Sequence, residues 1–131
     1  MAFAFIESRI MPKQAIASGN STAAVPVGTI VRAKDPTVGE GEFIYLATTA
    51  SVKTGALVYW TVRAAGSVIT KVTPTTTLNG LNLAVAMCNG VTKQFAWFCI
   101  TGTVPVLKIA SLFGVDAKVY LAGTTTGRIR A

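Results

Sequence analysis

The sequence predicts an all-β protein: a small antiparallel β-sandwich or barrel of short strands, preceded by an extended N-terminal arm. Two observations carry most of this. From Val25 onward, short segments rich in Val, Ile, Thr, Tyr, Phe and Trp follow one another. Clusters of Gly, Pro, Asn and Asp separate them at intervals of about ten residues, the spacing of sandwiches and small barrels. A third is the pair Asn79-Gly80 and Asn89-Gly90, dipeptides that tolerate positive φ and mark tight turns.

Each element follows in order. Residues 1–25 hold scattered apolar anchors (Phe3, Phe5, Ile6, Ile10), a polar patch over 18–22, and no sustained period. Such a segment is expected to be an arm ordered against a neighbour, with Phe3, Phe5 and Ile6 making the contact. Residues 26–131 are expected to form one β-rich domain. Its first strand is expected over 28–33, entered after Pro26. The breakers between Lys34 and Gly41 predict a loop. Strand 42–47 is apolar on both faces, which implies a core strand or a face covered by another subunit. Strands 56–63 and 67–72 make a hairpin through 64–66. In strand 81–88, Leu83, Val85 and Met87 share one face and Ala84, Ala86 and Cys88 the other. The small face lets another sheet or chain approach closely. Strand 95–101 is apolar on both sides and carries three aromatics. A strand over 104–109 contains Pro105, which cannot donate to a ladder and belongs at an edge or bulge. Short strands at 117–122 and 128–130 complete the pattern.

Composition narrows the function. A chain of 131 residues fits one domain with an arm and can bury a core without disulfides. It is 51% hydrophobic, yet every apolar run is interrupted before the roughly 18–20 residues that a membrane helix needs. Apolar surface is therefore expected to be covered by partner subunits. The net charge of +7 favours an acidic partner or nucleic acid, but the basic residues are dispersed and also serve solubility. Residues 1–7 lack the basic start of a signal peptide. Cys88, beside a turn, and Cys99, far along the next strand, do not face each other. They are expected to be buried, unpaired thiols in a reducing cytoplasm.

Catalytic equipment is sparse. The chain has no His, which removes the usual triads and zinc sites. Glu40 and Glu42, with Asp35 nearby, could act as an acid–base pair and would share a face if their strand began early. The expected arrangement is otherwise: Asp35 shapes the turn before Pro36, and the glutamates lie on a solvated loop. No phosphate-cradling GxxxxGK[ST] or GxGxxG is present. Neither enzymatic activity nor a cofactor or metal is expected. Phe43, Tyr45, Tyr59, Trp60, Phe95, Trp97 and Phe98 could stack bases in a single-stranded nucleic-acid-binding β-barrel module. They alternate with aliphatics instead of Lys and Arg, the pattern of core packing, so nucleic acid is the less favoured partner.

One stretch is distinctive: residues 28–37 (GTIVRAKDPT), followed by 39–46 (GEGEFIYL). With 54–59, 83–87, 95–102 and 119–121, it resembles small tailed-phage virion proteins that decorate the capsid. The resemblance covers roughly residues 26–130, in order. Residues 1–25 and 89–93 depart from it. It implies a head decoration, or cement, protein: β-rich, bound to the major capsid protein on the outside of the mature shell, often trimeric near local threefold axes. Such a protein braces the shell against packaged DNA. The chain would then be made in the host cytoplasm and reside on the virion exterior. A head-fibre base or a tail or adaptor component is the alternative within the virion. Arg32, Lys34, Arg128 and Arg130 are expected to meet an acidic shell, and Phe3, Phe5 and Ile6 to meet a neighbouring subunit.

Overall fold

A computed structural model of the chain describes residues 3–6, 15–48, 51–63, 66–71, 82–89, 94–108, 118, 120–121 and 128–130. The described residues hold ten strands and no helix. They are β1 (Ala4–Phe5), β2 (Gly19–Asn20), β3 (Ile30–Asp35), β4 (Gly39–Thr48) and β5 (Leu57–Arg63). The others are β6 (Gly66–Lys71), β7 (Asn82–Ala86), β8 (Phe95–Thr101), β9 (Tyr120–Leu121) and β10 (Ile129–Arg130). Eight form one sheet in the order β1-β3-β4-β6-β5-β7-β8-β2, and β9 and β10 make a separate antiparallel pair.

The long strand β4 is the hub. Along one edge it pairs antiparallel with β3, from Ile30↔Ile44 to Asp35↔Gly39. Its other edge pairs with β8, where Tyr45 lies opposite Trp97. Its last residues add a parallel ladder to β6, Ala47↔Val68 and Thr48↔Ile69. From β6 the pairing runs through β5, β7 and β8 back to β4. The β4–β6 and β7–β8 ladders are only two residue pairs each. The sheet therefore curls around a core without closing into a regular barrel.

Curling leaves two apolar layers, one on each face of β4 and β8. The inner layer holds Ile44, Leu46, Val58, Ala84, Ala86, Ala96 and Phe98. Ala84, Ala86 and Ala96 make room for Phe98 and Leu46, which are fully buried. The small face of the 81–88 strand is thus approached by its own sheet. The outer layer holds Val31, Ala33, Phe43, Tyr45, Val85, Trp97 and Cys99. Phe3, Phe5, Val25, Val104 and Val106 pack over it. Strand parity makes this possible: Phe43 and Tyr45 face outward from the curl while Ile44 and Leu46 face in. The two-sided apolar strands at 42–47 and 95–101 are core strands, covered within one chain.

Three expectations need correction. The described parts of the N-terminal stretch, expected as an arm ordered against a neighbour, are ordered on the chain's own sheet: β1 pairs with β3, β2 pairs with β8, and Ile16 is buried. The loop expected between Lys34 and Gly41 is a tight turn over 36–38. Asp35 makes it tight, its Oδ1 accepting the N–H groups of Thr37 (2.7 Å) and Val38 (3.1 Å). Gly41 is no breaker but a strand residue, since a Cβ there would lie 2.8 Å from the Thr101 carbonyl oxygen. That closeness accompanies a register shift, where Glu42 pairs with Thr101 but Phe43 with Cys99. Finally, residues 104–107 form no ladder strand. Leu107 N–H instead donates to the Gly55 carbonyl at 2.8 Å, and Lys108 makes a lone bridge to Ile129. Gly55 permits this at φ 84°, where a side chain would be strained.

Candidate interaction surface

The possible reactive groups are occupied structurally. Asp35 is buried in its turn. Glu40 Oε2 accepts from Arg32 Nη2 at 2.6 Å, with both side chains about half exposed (50% and 53%). Glu42 lies exposed on the same face of β4 as Glu40. An exposed pair of this kind is worth about 0.2–1 kcal/mol. Cys88 and Cys99 are both buried and free. They belong to opposite layers of the sheet, and burial pushes both thiols up. Among the described residues no three carboxylate or thiol side chains converge. A cavity of about 730 Å³ is lined by Phe3, Ile16, Met87, Cys88, Asn89 and Pro105, among others. Its Asn89 Oδ1 accepts the Thr54 N–H at 3.0 Å, a loop-fixing bond.

The aromatic residues divide cleanly. Phe43, Tyr45, Trp97 and Phe98 are fully buried and offer no ring to a base. Phe3 meets Phe43 edge-on at 4.8 Å and Phe5 tilts over Trp97 at 5.7 Å. The Tyr45 hydroxyl accepts the Ala24 N–H at 3.2 Å, tying residue 24 to the sheet. Phe3 and Phe5 therefore have ring partners within their own chain.

What remains outward is a sheet face. Alternation in β3 buries Val31, Ala33 and Asp35 and exposes Ile30, Arg32 and Lys34. The register sets Arg32 beside Glu42, Lys34 beside Glu40, and Ala4 beside Lys34. Ile6 N–H donates to the Arg32 carbonyl at 3.1 Å, bringing Ile6 alongside. Ile6 is 43% exposed and Ile30 55% exposed, two of the four large exposed hydrophobics among the described residues. A groove of about 520 Å³ runs between Ile6, Ala4, Lys34 and Pro36. The face thus combines an aliphatic pair with a charged surround, the make-up of a protein interface. It unites three residues expected from sequence to make contacts, Ile6, Arg32 and Lys34. Ile30 was missed, though strand alternation over residues 30–35 puts it on the same face as Arg32 and Lys34.

Arg128 and Arg130 lie elsewhere, on the β9–β10 pair. Arg130 is opposite Tyr120 in the register, its guanidinium 5.9 Å from the ring centre. Arg128 Nη1 donates to the Lys108 carbonyl at 3.2 Å. No protein-family model, curated protein or solved structure matches this chain.

Proposed function

We propose that this protein is a non-enzymatic structural subunit of a phage virion, which docks on the outside of the head and braces the shell. The observation that carries the reading is the solvent-facing β1–β3–β4 face, with Ile6 and Ile30 set among Arg32, Lys34, Glu40 and Glu42. Such a face suits a broad contact across a shell. The two-layered aromatic core supports a rigid brace, and the block over residues 28–46 carries the resemblance to decoration proteins. Sister copies, in a trimer, and the major capsid protein are the proposed partners.

The experiment is addition of the purified protein to phage heads that lack it, followed by sedimentation and quantitative gels. The expected result is saturation at hundreds of copies per head, with binding lost in Ile30→Asp. Saturation at a few copies would favour a tail, adaptor or head-fibre component. Undiminished binding of Ile30→Asp would remove this face from the contact.

A further inference from the structure

We propose that the cavity between the N-terminal stretch and the end of β7 is a binding site for an uncharged aromatic small molecule that carries a hydrogen-bond acceptor. Such a site is independent of any docking on a shell, and none of the four charged residues of the β1–β3–β4 face lines it.

Its floor forms where the two apolar layers meet. Strand β7 ends at Ala86, and the next two residues belong to opposite layers, Met87 to the outer and Cys88 to the inner. Both line the cavity, with the buried Ile16 and the half-buried Phe3 beside them. The N-terminal wall carries Ala15 and Ala17, side chains too short to cross the space. The volume of about 730 Å³ falls within the roughly 300–1,000 Å³ of small-molecule sites.

The walls are held before any ligand arrives. Ser18 closes the turn at 15–18, its N–H (3.2 Å) and hydroxyl (2.8 Å) both donating to the Ala15 carbonyl. Gly19 then joins the sheet opposite Ala96. On the other side, Gly55 N–H donates to the Ala86 carbonyl at 2.8 Å, and Asn89 Oδ1 holds the Thr54 N–H. A site with fixed walls loses little freedom on binding.

The lining selects the ligand. Among the described residues no charged side chain lines the cavity, so an ion would give up its hydration without meeting a counter-charge. Phe3 offers an aromatic ring, and Met87 and Cys88 bring sulfur, which makes favourable contacts with aromatic rings. Burial pushes the Cys88 thiol up, so in the neutral range it is part of the wall and not a nucleophile. Polar contact comes from Asn89 at the exposed rim. Its Oδ1 is taken by Thr54, so its carboxamide NH2 is left to donate and calls for an acceptor on the ligand.

The test uses the full chain and prodan, an uncharged naphthyl ketone whose emission moves to the blue on leaving water. Wild type is expected to bind one prodan per chain with a blue shift. Ala17→Trp puts a large side chain on the wall at an exposed position and is expected to abolish binding. Asn89→Asp keeps an oxygen for the Thr54 N–H but removes the NH2 donor, and is expected to weaken binding about fivefold. Leu83→Gln removes an exposed apolar side chain that does not line the cavity and is expected to change nothing. Acetophenone is expected to displace prodan at lower concentration than cyclohexyl methyl ketone, its saturated counterpart. Circular dichroism checks that each variant folds; where Ala17→Trp does not, Asn89→Asp decides. Absence of a blue shift with wild type overturns the inference, as does unchanged affinity in either folded variant. Equal loss in Leu83→Gln would mean general adhesion to apolar surface and overturns it too. Equal displacement by the two ketones overturns the preference for an aromatic ring.

Discussion

Removing the Phe5 ring should release the N-terminal segment from its own sheet. Phe5 is half-buried and packs on the buried indole of Trp97 at 5.7 Å. Full burial of such a side chain stabilises by about 1.5–3 kcal/mol, so half-burial contributes about 1 kcal/mol. The ring–ring contact adds about 0.5–1.5 kcal/mol. Phe5→Ala is therefore expected to cost about 2 kcal/mol. With a urea dependence of about 1–3 kcal/mol per molar, the unfolding midpoint should drop by about 1 M. The assay is urea unfolding followed by circular dichroism. A Trp60→Phe background isolates Trp97 emission, which should shift to the red as water reaches the indole. Both effects should be independent of protein concentration, because the contact is within one chain. A cost below about 0.5 kcal/mol with unmoved emission would refute the reasoning. So would a midpoint shift that vanishes on dilution, which would place the segment on a neighbouring copy.

Asp35→Ala should cost about 1.5–3 kcal/mol, because two backbone N–H groups lose a charged acceptor, whereas Asp35→Asn keeps the acceptor and should cost less than half as much. Thermal melts of the two variants compare them directly. Gly41→Ala should destabilise by about 1–3 kcal/mol, since its Cβ would come within 2.8 Å of the Thr101 carbonyl oxygen. A neutral result in the same melts would mean that the β4–β8 contact is looser than its register implies. Burial holds the Cys88 and Cys99 thiols above their ordinary value of 9.0, so the folded state binds these protons more tightly than the unfolded state. Their contribution is complete below the ordinary thiol range and is lost as pH rises through the folded value. Urea midpoints should fall above about pH 8.5–9, less steeply in Cys88→Ala/Cys99→Ala, and native protein should resist iodoacetamide at pH 8.

The legibility of the fold varied with the range of the interaction that fixes each element. Strand β8 was readable to the residue, because six apolar and aromatic residues and a β-branched Thr101 between a polar stretch and Gly102 leave a strand little choice. The β5–β6 hairpin was readable for the same local reason. Strands β1 and β2 were not, since two residues cannot display a period and their pairing depends on distant partners. Gly41 read as a breaker because its reason, the nearness of the Thr101 oxygen, comes from a strand sixty positions on. Val104 to Lys108 looked like a strand by composition, yet its hydrogen bonds go to Gly55 and Ile129 singly. For the surface, residue type alone named Ile6, Arg32 and Lys34. Only the register revealed that they share a face, and that Arg128 and Arg130 do not belong to it.

The two-sided sheet changes what the apolar composition means. A chain that is 51% hydrophobic invites the conclusion that its exterior is greasy and must be covered by partners. Here β4 and β8 bury side chains on both faces, which takes roughly twice the apolar residues of a sheet with one wet face. The N-terminal segment and residues 104–106 supply the outer cover. The described surface is left with only four large exposed hydrophobics, Ile6, Ile30, Leu83 and Tyr120. Composition therefore no longer argues for subunit contacts by itself; position does. Ile6 follows β1 and bonds to the backbone of Arg32, two residues along β3 from Ile30, and Tyr120 lies beside the Arg130 guanidinium. Each belongs to a defined patch with its own charge pattern. A partner that covered the described surface through grease alone would find too little of it; the docking proposed above would therefore combine a small aliphatic contact with ion pairing, and is expected to weaken as salt is raised.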